Sequence, residues 1–196
     1  IKSNDLSLQD INMKINDNSG YIKLNRFESK LFDGNELIIS TAFKNDNTNF
    51  SIDFNSVNGK NKIDFKHTID NEQRSVFSFS KISFDYNKNK WVLNESDDIN
   101  KNKLILSENY KELKSMKIKS NEQVIEFKYF NDKDKFDFES IFDNVGFSSI
   151  IPKPKNILYE GLVNGKISLN KNGEVYDSES SIVLNDFSSN GYVLGD

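Results

Sequence analysis

No cysteine occurs in this chain. That excludes thiolate nucleophiles, cysteine zinc sites and disulfide frameworks. There is one histidine, His67, and no nucleophile or orienting acid can be read beside it, so a catalytic triad is not expected. Two prolines and nine glycines in 196 residues exclude collagen-like and proline-rich linker classes. No apolar run is long enough to cross a bilayer as a helix. The net charge is −4, with lysines and carboxylates interspersed, and nothing resembles the basic stripe that nucleic acid needs. Phosphate loops, dinucleotide fingerprints and nucleophile elbows are absent from the sequence. The chain is therefore not expected to be an enzyme, to hold a cofactor or metal, or to bind nucleic acid.

What is present is a contrast. Charged residues make up 29% and the mean hydropathy is −0.64, which is polar for a globular protein. Yet there are 16 Phe and 7 Tyr, too many aromatics for a disordered chain. Thin sheet layers, polar on one side and aromatic on the other, reconcile the two. The frequency of Asn, Lys, Asp and Ile reads as an AT-rich genome, a bias and not a function.

Period-2 alternation of apolar and polar residues, the mark of a strand with one dry face, recurs along the chain. Leu6 and Leu8 alternate, then Ile11, Met13 and Ile15, with a slip of phase at Gln9-Asp10 that a bulge would absorb. Tyr21 to Leu24 and Glu36 to Ser40 are further strands, with turns expected at Asp17 to Gly20 and at Asp33-Gly34-Asn35. Phe50-Ser51-Ile52-Asp53-Phe54 is the cleanest alternation. It turns at Asn58-Gly59 into Ile63 to Ile69, and Val76 to Phe79, Ile82 to Tyr86 and Trp91 to Leu93 follow. Leu104 to Leu106, Met116 to Ile118 and Val124 to Tyr129 are shorter. A strand through Ile167 and Leu169, a turn at Asn172-Gly173 and a strand from Ser181 to Phe187 close the pattern. Short, evenly spaced strands with turn signals between them read as an all-β antiparallel or mixed meander.

One region departs. Phe138, Ile141, Phe142 and Val145 stand at helical spacing and Gly146 could end a helix, so the spacing predicts a short helix over 138–146. Ile151-Pro152-Lys153-Pro154 forces an extended linker after it. The expected organisation is residues 1–136 as one β segment, 137–158 as helix and linker, and 159–196 as the start of another β segment. The chain opens on Ile1 without Met and stops inside an apparent strand at Leu194-Gly195-Asp196, so it is expected to be a piece of a longer protein.

The order Trp91-Val92-Leu93, Leu104-Ile105-Leu106, Ile118 to Ile125, Gly161 to Gly165, Leu184-Asn185-Asp186-Phe187 and Asn190 to Asp196 resembles the TamB-type members of the AsmA-like superfamily, in particular those of Bacteroidota. The resemblance covers roughly Trp91 to Asp196; Phe127-Lys128 stand where that pattern often has a glycine. It implies an elongated, curved sheet forming a trough (a β-taco), anchored in the inner membrane and crossing the periplasm towards the outer membrane. It further implies phospholipid as cargo, a TamA- or BamA-like outer-membrane barrel protein as partner, and an inner-membrane anchor outside this fragment.

From alternation alone, the dry faces could be closed into a β-sandwich, the commoner solution, as in a binding or adhesion module of the cell envelope. They could also line an open groove filled by acyl chains, which the resemblance favours. The lining candidates are Leu37, Ile39, Phe50, Ile52, Phe54, Ile63, Phe65, Phe77, Phe79, Ile82, Phe84, Leu104, Leu106, Ile118, Ile167, Leu169, Ile182 and Leu184. Trp91 is expected in a core or edge contact and His67 at the polar surface. Asp97-Asp98, Asp132/Asp134 and Asp137/Glu139 are acidic pairs; Asn131 to Asp134 lacks the glycine and terminal glutamate of a calcium loop and reads as a solvated turn.

Overall fold

A computed structural model describes residues 6–29, 33–44, 47–56, 58–94, 101–150, 159–189 and 192–195. The proline linker at 151–154, Asp97-Asp98 and Asn190-Gly191 lie outside the described residues. Among those described, the chain is all-β apart from one helical turn. It divides into two units, Ile1–Glu95 and Ser96–Asp196.

In the first unit, β1 (Leu6–Gln9) and β2 (Asn12–Asn16) both pair antiparallel with β3 (Ser19–Ser29). Between them Asp10 takes φ +52°, so one edge is built from two short strands joined at the expected slip. The sheet continues through β4 (Asp33–Lys44), β5 (Asn47–Ser56), β6 (Gly59–Ile69), β7 (Ser75–Tyr86) and β8 (Asn89–Leu93), each antiparallel to its chain neighbour. Turn chemistry sets the hairpins. The Asn16 carboxamide oxygen accepts the Asn18 and Ser19 amides at 3.1 and 2.8 Å, an Asx turn. Asn87 and Lys88 have φ of +47° and +66°, the two positive values of the type I′ turn whose twist matches a hairpin.

The second unit runs β9 (Lys103–Leu106), β10 (Tyr110–Ser120), β11 (Gln123–Asp132), β12 (Lys135–Gly146), β13 (Tyr159–Asn172), β14 (Val175–Ser189) and β15 (Tyr192–Gly195), again antiparallel and in chain order. Between β12 and β13 lies α1 (Phe147–Ile150). Its Phe147 ring meets those of Tyr159 and Phe187 at 5.6 and 5.0 Å, an aromatic cluster at one end of this sheet.

Two expectations are overturned. Residues 138–146 are strand, not helix, so the segment boundary expected after residue 136 falls inside β12. Phe136, Phe138, Ser140 and Phe142 carry the period-2 pattern, and the serine hides it. A bulge follows: Phe142 faces Gly165 and Val145 faces Val163, so Asp143 and Asn144 together oppose Asn164. Asn144 has φ +51°, and its amide donates to the Asn164 side-chain oxygen at 2.8 Å. The extra residue leaves Phe142 and Val145 three apart yet on one face, which mimics a helical interval. Likewise Asp33-Gly34-Asn35 is not a turn but the start of β4. Gly34 pairs with Phe27, and a Cβ there would sit 2.4 Å from the Phe27 ring. The glycine clears space for that ring instead of bending the chain.

Candidate functional site

Opposite residues in an antiparallel ladder share a face, so the register assigns each lining candidate. In the first unit, Leu24, Leu37 and Ile39 of β3 and β4 begin one face. The row Thr41, Phe50, Phe65, Phe79 crosses β4 to β7, and Ile39, Ile52, Ile63, Ile82 cross beside it. Phe54, Phe77 and Phe84 fall on this same face by alternation. All of Leu37, Ile39, Phe50, Ile52, Phe54, Ile63, Phe65, Phe77, Phe79, Ile82 and Phe84 are half-buried. A residue sealed between two sheets would be buried; these keep part of their surface in solvent. Phe50 and Phe65 stack with centroids 4.9 Å apart. A cleft of about 640 Å³ crosses the sheet at this row but opens on the reverse face, where Ser40, Ala42, Ser51, Asp64, Lys66 and Ser78 line it.

His67 is corrected. It follows Ile63 and Phe65 in the same phase and faces Phe77, ring to ring at 4.9 Å. It therefore belongs to the aromatic face and not to the polar one. Trp91, opposite Phe84, is 2% exposed, in keeping with a packed indole. The reverse face is charged. The Lys62 ammonium lies 3.2 Å from Asp53 and 3.5 Å from Asp64 and donates to the Ser51 hydroxyl at 3.0 Å. Burial lowers the Lys62 pKa, but the hydrogen bond and charge of Asp53, with Asp64, outweigh it and the net shift is upward.

In the second unit four rows cross β10 to β14. They are Ile118, Ile125, Phe142, Gly165, Ile182; Met116, Phe127, Ser140, Ile167, Ser180; Leu113, Tyr129, Phe138, Leu169, Ser178; and Lys111, Asn131, Phe136, Lys171, Tyr176. Leu104 and Leu106 of β9 face Leu113 and Lys111, and Leu184 faces Val163. Every candidate of this unit thus shares one face. Ile118 is buried, Leu104, Leu106, Ile167 and Leu184 are half-buried, and Leu169 and Ile182 are exposed at 43% and 41%. Sequence reasoning missed Phe136, Phe138 and Phe142 on this face because the helical interval concealed them. It also left out Ile125, Phe127 and Tyr129, although their alternation is visible in β11.

The opposite face of this unit carries a ladder of ion pairs. Lys117 reaches Glu126 at 3.3 Å, Lys128 reaches Glu139 at 2.7 Å, and Lys166 reaches Glu139 at 2.6 Å. The hydrogen bonds from Lys128 and Lys166 hold the Glu139 carboxyl below the ordinary carboxylate range, against a smaller opposing effect of burial. For Glu126, burial pushes the pKa up, but Ser115 and Lys117 pull it further down. No group of three or more His, Cys, Asp or Glu fit for a metal exists among the described residues.

Among the described residues, each unit is thus a one-layer antiparallel sheet with a charged, cross-linked face and an apolar face left partly open. No family model, curated protein or solved structure matches the chain.

Proposed function

We propose that this protein is a TamB-like carrier that holds phospholipid acyl chains on its apolar sheet faces while headgroups stay in water. The proposed setting is the periplasm, with an inner-membrane anchor elsewhere in the protein and a TamA- or BamA-like barrel at the outer membrane. The observation that supports it is the row of half-buried phenylalanines, Phe50, Phe65 and Phe79, with the row Ile39, Ile52, Ile63 and Ile82 beside it on the same partly open face. Acyl chains gain ~0.8 kcal/mol per buried CH₂, so a continuous apolar face binds them without a specific polar contact. Passive sliding along the face is the proposed mechanism, and it needs no catalytic residue.

The test is photocrosslinking in living cells with a probe at Phe54 and, as an outward control, at Asp53, which pairs with Lys62 on the other face. Phospholipid attached at Phe54 and absent at Asp53 is the expected result. A folded protein with lipid at neither position would overturn the reading in favour of an envelope binding or adhesion module.

A further inference from the structure

Across the four rows of the second unit's apolar face, two residues carry charge, Lys111 and Lys171. Both are cations and both stand in the same row, at the hairpin end. The carboxylates of β12 to β14 in this region, Asp137, Glu139, Asp177 and Glu179, alternate onto the other face. At this end Lys171, Lys133, Phe136, Leu169 and Tyr176 line a cleft of about 590 Å³, with Asp177 at its β14 border. That volume is within the size range of small-molecule sites. Its floor of Phe136, Leu169 and Tyr176 is apolar. The Lys171 ammonium lies 5.1 Å from the centre of the Tyr176 ring, and neither Lys171 nor Lys133 makes an ion pair among the described residues. On the reverse face Lys117, Lys128 and Lys166 are by contrast neutralised by carboxylates. Leu169 and Tyr176 are 43% and 74% exposed and the turn carboxylates Asp134 and Glu174 stand at the same end, so the attraction for an anion is that of a partly solvated site, where lysine serves phosphate as a point charge.

We propose that this cleft holds the phosphate of an anionic phospholipid, with Lys171 and Lys133 at the headgroup and the first acyl carbons over Phe136 and Leu169. The inference rests on the lipid-carrying reading and adds to it a lipid class and a place where the head stops. Each lysine favours the anionic lipid roughly fivefold.

The experiment equilibrates the full chain with vesicles of equal phosphatidylglycerol and phosphatidylcholine, re-isolates the protein and quantifies bound lipid by mass spectrometry. The expected result is enrichment of phosphatidylglycerol, lost in the Lys133→Gln/Lys171→Gln variant, which still captures phosphatidylcholine. Lys119→Gln, on the other face, keeps the enrichment. Equal capture of both lipids by the parent chain, or enrichment surviving the double variant, overturns this site and leaves the lipid-carrying reading standing. Capture of no lipid overturns both. Phosphorus NMR with inorganic phosphate alone provides the remaining arm. Lysine-dependent binding of free phosphate that abolishes the enrichment overturns the headgroup assignment and makes this a site for free anions.

Discussion

Phe50 and Phe65 face each other across β5 and β6 with ring planes only 12° apart and centroids 4.9 Å apart, yet neither ring is fully buried. The stack is half of a contact, closed between strands and open above. Phe65→Asp removes it and places a charge where solvent can still reach. The expected cost is about 1–2 kcal/mol in urea unfolding, with a cooperative transition retained, while bound lipid falls sharply. Loss of the folded baseline would show that the face is sealed.

Leu169 and Ile182 are more exposed still, at 43% and 41%. Aspartate at either position is expected to change stability by less than about 0.5 kcal/mol, as read by denaturant midpoint. Val145, at 0% exposure, gives the opposite result: Val145→Asp buries an unpaired charge and abolishes cooperative folding of the second unit.

Gly165 takes φ +140°, and a Cβ there would meet the Ser181 carbonyl oxygen at 1.9 Å. Gly165→Ala is therefore expected to be destabilising by about 2–3 kcal/mol or more, through backbone strain and displacement of β14. Thermal unfolding of the variant against Gly173→Ala, where nothing lies within 4 Å, separates the steric effect from the loss of a glycine.

Glu139 binds Lys128 and Lys166, and its carboxyl is held below the ordinary range. A depressed carboxylate stabilises the folded state above the unfolded pKa, about 4.3 for Glu, and that contribution disappears as pH falls through the lower, folded value. Glu139→Gln is expected to lose about 0.5–1 kcal/mol at pH 7, with parent and variant converging as pH falls through the acidic carboxylate range. Urea unfolding at a series of pH values measures this; a gap that widens towards acid would refute it.

Trp91 is the one tryptophan of the sequence and is 2% exposed. Its emission is expected to be blue-shifted when folded and to move red on unfolding. Trp91→Ala is expected to cost about 3–5 kcal/mol, as read by circular dichroism, since the fluorescence probe is lost with it.

Strand identity and facing are legible wherever alternation runs without interruption. Ile63, Phe65 and the Phe50 to Phe54 stretch announce their face in the residue pattern alone. Legibility fails where a bulge changes the phase. The pair Asp143 and Asn144 opposite Asn164 turns a strand into an apparent helix, and the neighbouring strands β11 and β13, invisible in local spacing, decide the outcome. Gly34 fails differently: a glycine next to Asp and Asn has the chemistry of a turn, and only the Phe27 ring across the ladder explains it. His67 reads as polar from its lysine and threonine neighbours, although its phase with Phe65 marks the aromatic face. The cationic row at Lys111 and Lys171 is not readable from sequence, because these residues come to share a row only through the register of four strands.

From β3 to β8 in the first unit and from β9 to β15 in the second, successive strands lie side by side in the order in which they are made. The sheet therefore grows like knitting, row upon row, and no row waits for a distant part of the thread. One more hairpin would extend an apolar face by roughly 10 Å, two strand spacings, without disturbing rows already formed. Length, for such an architecture, is a quantity that duplication of a hairpin can adjust.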